Sequence, residues 1–144
     1  MNAKSIAWLA AIVANVLGWV LPAYDEERGW SAFVFALSPL WDYSSFRSES
    51  VALLAFIVAS ALTNVLFIVL AAVLVLGKVR HARPTLWAAA GATLLNLYWP
   101  ILLEADRAKL ASGYFIWVAS FALLALSAFL VLRPAPFPAA RTRS

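Results

Sequence analysis

The chain contains no cysteine, and only one of its 144 residues is histidine. The first absence removes disulfides, thiolate metal sites and thiol redox chemistry. The second leaves no histidine pair to hold a haem and no His-x-x-x-His spacing for zinc. Charge is scarce as well. Asp, Glu, Lys and Arg make up 12% of the residues, against about 25% in an average soluble domain, and none lies in the four long apolar segments 5–21, 51–76, 85–103 and 113–132. An ionisable group inside a span is the usual mark of a proton relay, an ion-coupled carrier or a voltage sensor, so these classes are disfavoured. There is no Gly-rich phosphate loop and no nucleophile elbow. His81 sits beside Lys78, Arg80 and Arg83, the setting of a solvated or lipid-facing residue rather than a base. No catalytic residue, metal site or cofactor is expected.

What fills the chain instead is apolar: 65% of residues are hydrophobic and mean hydropathy is +0.87. A crossing of the hydrocarbon core needs about 20 residues. The sequence therefore predicts an all-α membrane protein: four transmembrane helices in an antiparallel bundle, one domain over residues 1–132, and a disordered Pro-rich cytoplasmic tail over 133–144. The first segment is expected to be retained, because Leu21-Pro22-Ala23 is a poor cleavage site for a signal peptide. Ser48 or Ser50 and Ser112 are candidate N-caps of the second and fourth helices, with Gly77 and Arg133-Pro134 ending them.

Charge sorting sets the orientation. The loop 23–50 holds Asp25, Glu26, Glu27, Asp42 and Glu49 against Arg28 and Arg47, a formal charge of 2 − 5 = −3. The second loop holds Lys78, Arg80 and Arg83 and the tail Arg133, Arg141 and Arg143, with no acid in either, while the third loop balances Glu104 and Asp106 with Arg107 and Lys109. Both termini and the second loop are accordingly assigned to the cytoplasm. Lys78, Arg80, Arg83 and Arg133 are expected to meet anionic headgroups, so the net charge of +4 is read as a topology signal and not as a nucleic-acid footprint.

The polar residues inside the segments are few: Asn15, Asn64 and Asn96, with Ser60, Thr63, Thr93, Ser120 and Ser127, and Ser60 and Thr93 each lie on the same helix face as a neighbouring Asn. An unpaired amide in hydrocarbon costs several kcal/mol, so these side chains should face other helices. Holding the bundle together outweighs lining a polar path. Small-residue stripes at Ala10, Ala14 and Gly18, and at Ala88 and Ala92, would permit close helix approach. Pro100 has no N–H for the carbonyl of Asn96, which leaves an acceptor free in that turn. Asn15, Trp19 and Pro22 followed by DEER, and Asn96, Trp99 and Pro100 followed by EADR, form a faint internal repeat; a duplicated helical hairpin or two helices leaving on one side would each produce it.

Between two polar runs lies WSAFVFALSPLW, residues 30–41, too short to cross. Trp30, Phe33, Val34, Leu37 and Trp41 share one helical face, which predicts a short interfacial helix over about 30–38, broken near Pro39. Trp30, Phe33, Leu37 and Trp41 are its expected membrane-facing or docking residues, covered on that side, with Ser31, Ser38 and Asp42 open to water.

Gly29-Trp30, Leu62-Thr63-Asn64-Val65-Leu66 and the run Gly113 to Phe121 resemble the pattern of small, uncharacterised four-helix inner-membrane proteins of Gram-negative bacteria. The resemblance implies a bacterial inner membrane and no particular chemistry. Colicin-type immunity proteins share the size and plan without matching motifs. The functional expectation is a non-enzymatic inner-membrane protein that acts through contacts with lipids, with another membrane protein or with itself, as an accessory subunit, scaffold or immunity-like binder. An oligomeric translocator of small solutes or lipids is the alternative, and a lipid or quinone enzyme the third reading.

Overall fold

In the computed structural model, residues 2–76 and 79–133 are described, and the protein is mostly helical, at 84%. Helix α1 (Ala3–Val20) starts at Asn2, whose side chain accepts the Ser5 backbone N–H, one of the orphan donors of the first turn. A small antiparallel hairpin follows, β1 (Pro22–Tyr24) and β2 (Glu27–Arg28), turning through Asp25 at φ 54°. Helix α2 (Gly29–Leu37) runs into 3-10 turns at Ser38–Leu40 and Tyr43–Phe46. Helix α3 (Val51–Leu76) begins with the Ser50 hydroxyl accepting from Leu53 N–H, so Ser50 and not Ser48 is the cap. After a 3-10 turn at Val79–His81 come α4 (Ala82–Leu97), the single turn α5 (Trp99–Leu102), a 3-10 segment at Glu104–Lys109, and α6 (Ser112–Leu132). Ser112 is the first residue of α6 and makes no cap; Ala111 precedes it in extended conformation. Gly77, Lys78, Pro134 and the remainder of the tail, with Arg141 and Arg143, lie outside the described residues.

Three helices, α1, α3 and α6, are long and apolar enough to cross a membrane. The segment expected as one helix over 85–103 is divided. Its first part, α4, stops at Leu97, Tyr98 forms a turn, and α5 continues with Pro100 inside it. The cause is local: a proline at this position cannot donate to the carbonyl four residues earlier and crowds it.

Helix α6 is the centre, with α1 on one side and α4 on the other, and α3 packed against α4. Side-chain bonds fix the directions. Asn15 pairs with Ser120, and the Ser127 hydroxyl donates to the Lys4 carbonyl, so α1 and α6 run antiparallel. The buried face of α1 is Ala7, Ala11, Asn15 and Gly18, one step round from the expected Ala10 and Ala14, which are half-buried. On α4 the buried face is Thr85, Ala89, Ala92 and Asn96, with Ala88 at its edge. Against these small residues α6 sets Phe121 and Leu124, both fully buried, and Phe121 meets Phe67 of α3 edge-on with 5.3 Å between ring centroids. Small faces on α1 and α4 thus make room for large residues on α6.

The C-terminal end of α1 and the N-terminal ends of α2 and α6 meet backbone to backbone. Pro22 has no N–H for the Gly18 carbonyl, and the space a Cβ on Gly29 would need is taken by that carbonyl oxygen. A Cβ on Gly18 would stand 2.5 Å from Trp117 Cβ, and one on Gly113 would stand 2.5 Å from the Pro22 oxygen. Around this junction Gly29 N–H donates to Leu21, Asp25 N–H to Lys109 and Ala111 N–H to Ala23, tying the first and third loops together. Gly91, by contrast, faces open space on α4. Gly29→Ala and Gly113→Ala should each lower stability by about 2 kcal/mol or more through overpacking, while Gly91→Ala should be neutral or gain up to about 1 kcal/mol of helix propensity. Thermal melts followed by circular dichroism in mild detergent give the comparison, and equal losses at all three positions would contradict the junction.

Candidate functional site: the buried polar layer

The polar residues gather into three linked groups. In the largest, the Trp99 indole N–H donates to Ser60 Oγ at 2.8 Å, and the Ser60 hydroxyl donates to Asn96 Oδ1 at 2.6 Å. Asn96 Nδ2 in turn donates to Thr63 Oγ1 at 3.1 Å and to its own helix at the Ala92 carbonyl at 2.8 Å. The carbonyl that Pro100 leaves free on Asn96 receives the hydroxyl of Tyr114. Helices α3, α4, α5 and α6 are joined in this one cluster.

The second group is Trp117 Nε1–H to Asn64 Oδ1 at 2.7 Å, with Asn64 Nδ2 on the Ala61 carbonyl at 3.1 Å. The third is Asn15 Nδ2 to Ser120 Oγ at 3.1 Å, the Ser120 hydroxyl returning to the Trp117 carbonyl at 2.6 Å. Asn15, Ser60, Asn64 and Asn96 all bond and all are buried. Thr93 is the exception. Its hydroxyl donates to the Ala89 carbonyl one turn back and bridges no helices, because a threonine hydroxyl reaches its own i−4 carbonyl without strain. Thr63 takes the bridging place instead. Thr85 Oγ1 is the one buried side-chain polar atom without a partner among the described residues.

The aromatic partners Trp99, Tyr114 and Trp117 were not identified from sequence. Their signal is weak there, since a tryptophan near a helix end reads as a membrane-interface residue, yet a buried indole or phenol needs an acceptor. The two Asn–Ser bonds also bear on the internal repeat. Asn15 to Ser120 joins α1 to α6, and Asn96 to Ser60 joins α4 to α3, an arrangement that exchanging the two halves would interconvert. Ser60 and Ser120 each close the triplet Val-Ala-Ser, at 58–60 and 118–120.

The outer segment is helical where expected but turned. Phe33 and Leu37 are half-buried toward α1 and α3, and Phe33 stacks on Trp19 at 5.1 Å, whereas Trp30, Val34 and Trp41 are about half or more exposed. Trp30 and Trp41 are thus not covered by protein, and Ser31 and Ser38 are less open than expected. The rotation has a cause in Gly29, which must face the Gly18 carbonyl and so fixes the face of α2 that turns inward. Asp42 closes the segment by accepting the hydroxyls of Ser45 and Ser44, each at 2.7 Å, and these two bonds, Ser45's first, hold its carboxyl below the usual range. On the neighbouring third loop the bond to Asp106, at 2.8 Å, raises the Lys109 ammonium above its ordinary value.

Arg80, Arg83 and Arg133 are exposed; the Arg80 Nε–H donates to His81 Nε2, and the Arg133 guanidinium lies 4.6 Å over the Phe129 ring. No group of three or more metal-binding side chains occurs among the described residues. Comparisons with protein-family models, curated proteins and solved structures return no match. The stretches 29–30, 62–66 and 113–121 coincide with packing junctions: Gly29 and Gly113 at the backbone contact, Thr63 and Asn64 in the polar layer, and Tyr114, Trp117 and Ser120 as its partners.

Removing the Asn96 amide breaks its bonds to Ser60 and Thr63 of α3 at once and leaves the Ser60 hydroxyl proton without its acceptor. Asn96→Leu is expected to cost about 2–4 kcal/mol, and Asn64→Leu about 1 kcal/mol, within the range for single interhelical bonds in membranes. Unfolding titrations in mixed detergent measure both. An Asn96→Leu protein as stable as the parent would show that the layer is not a structural tie.

Proposed function

We propose that this chain is a non-enzymatic integral protein of a bacterial inner membrane, with four crossings in an antiparallel bundle, that acts through contacts with lipids or with another membrane protein. The observation that carries the reading is the pairing of the interior amides within the bundle. Asn15, Asn64 and Asn96 are engaged in helix-to-helix bonds, so they serve the bundle rather than a passing solute. A polar conduit requires groups free to replace a solute's water, which disfavours the translocator reading; the groove between α1 and α3 is apolar.

The fourth crossing is supplied by α4 and α5 taken together, 82–102, whose combined rise of about 30 Å matches the hydrocarbon core. Charge supports the orientation. The described residues at the Lys4 end of the molecule include Lys4, Arg80, Arg83 and Arg133 and no acid, while the opposite loops carry all seven acids against Arg28, Arg47, Arg107 and Lys109, or 4 − 7 = −3. The Lys4 end is cytoplasmic on this account. Helix α2 lies in the outer interface, with Trp30 and Trp41 at headgroup level and open to lipid or partner.

Reporter fusions after Arg83 and Arg133 should read cytoplasmic, and those after Arg47 and Lys109 external. An external signal at Arg83 would overturn the orientation. Trp30→Ala and Trp41→Ala should leave the thermal midpoint within a few degrees of the parent yet impair complementation of a deletion strain. A large loss of stability in these variants would make the helix a lid rather than a contact surface.

A further inference from the structure

The seam between α1 and α3 is built differently from the seam that corresponds to it in the other half of the molecule. Helices α4 and α6 pack closely, whereas α1 and α3 stand apart and meet through long side chains, among them Trp8, whose indole N–H donates to the Ala71 carbonyl at 3.2 Å. Between them runs a groove of about 520 Å³, open along its side. Its walls are apolar: Trp8, Ile12 and Val16 from α1 face Phe67, Ile68 and Ala72 from α3. Asn15 borders it, but its amide N–H is already on Ser120.

Shape decides what fits. The open volume is spread along the roughly 18 Å that α1 rises from Trp8 to Val20, and the Trp8 indole reaches across the seam to Ala71. A flexible hydrocarbon chain can lie along such a seam, whereas a second copy's helix, about 10–12 Å across with its side chains, would have to displace the Trp8 bridge. The ends decide its direction. At the acidic end α2 crosses from α1 to α3, with Phe33 stacked on Trp19. At the other end Lys4, exposed and one turn below Trp8, shares the groove's face of α1.

We propose that the α1/α3 groove holds one acyl chain of an anionic bilayer phospholipid, whose phosphate meets the Lys4 ammonium. The chain lies against the Trp8 and Phe67 rings and ends beneath α2. Snorkelling carries the lysine charge to headgroup level while its stem stays along the groove mouth. The proposal rests on the membrane reading above, and carbonate extraction of membranes tests that reading separately: a chain released into the soluble fraction would remove both.

Native mass spectrometry of the full chain, taken from mild detergent after equilibration with equal amounts of phosphatidylglycerol and phosphatidylethanolamine, tests the site. The parent should retain one phospholipid per chain and prefer phosphatidylglycerol about fivefold, the preference that one near-surface lysine confers. The double variant Val16→Phe/Ala72→Phe fills the groove from two exposed positions and should retain none at an unchanged thermal midpoint. Lys4→Gln should still retain a lipid but lose the preference. A carbonate-resistant parent that retains no lipid would overturn the proposal, as would a filled variant that binds like the parent. A parental dimer that the filling dissociates would assign the groove to a second chain and overturn it equally.

Discussion

The arrangement depends first on a backbone contact that only glycine allows. Where α1 ends, Pro22 cannot complete the hydrogen bond to Gly18, and the uncovered carbonyl becomes the surface on which Gly29 rests. Gly113, at the start of α6, meets the carbonyls of Leu21 and Pro22 that follow α1. Three helices are thereby fixed at one end before any large side chain is considered. The consequences run down the bundle: Gly18 against Trp117, Asn15 against Ser120 and the Lys4 carbonyl against Ser127 are successive rungs of one antiparallel seam. The inward face of α2, and with it the outward set of Trp30, Val34 and Trp41, follows from the same contact.

The polar layer acts on top of this as a register device. A single interhelical hydrogen bond in a membrane averages only about 0.6 kcal/mol, yet an amide left unpaired in hydrocarbon costs several. The layer therefore penalises a wrong alignment more than it stabilises the right one. Asn96 shows the economy of the arrangement, since its side chain ties α4 to α3 while its carbonyl, freed by Pro100, accepts from α6. Breaking α4 at Tyr98 and tying α4 to α6 are two results of one proline.

Much of this was legible in the sequence because it follows from residue type. Asn15, Asn64 and Asn96 had to be buried and paired wherever the helices met, Pro100 had to free an acceptor, and the segment from Trp30 had the spacing of a helix. What was not legible depends on azimuth. A small-residue stripe at Ala10 and Ala14 and one at Ala7 and Ala11 are equally good patterns in sequence, and the partner helix alone selects between them. The same holds for α2, where Gly29 fixes the rotation that turns Phe33 and Leu37 toward the bundle and leaves Trp30 and Val34 outward. Thr93 and Thr63 were also equivalent by composition; only Thr63 stands opposite Asn96. The roles of Tyr114 and Trp117 required knowledge of which acceptors lay beside them.

The central claim is that α1 and α6 lie face to face in opposite directions within one membrane-embedded bundle. Because the chain has no cysteine of its own, it can be tested in whole membranes with Asn15→Cys/Ser120→Cys and a short bifunctional thiol reagent. The account predicts efficient crosslinking within one chain for this pair and none for Asn15→Cys/Arg133→Cys, whose second position lies at the far end of α6. Crosslinking of the second pair without the first would contradict it.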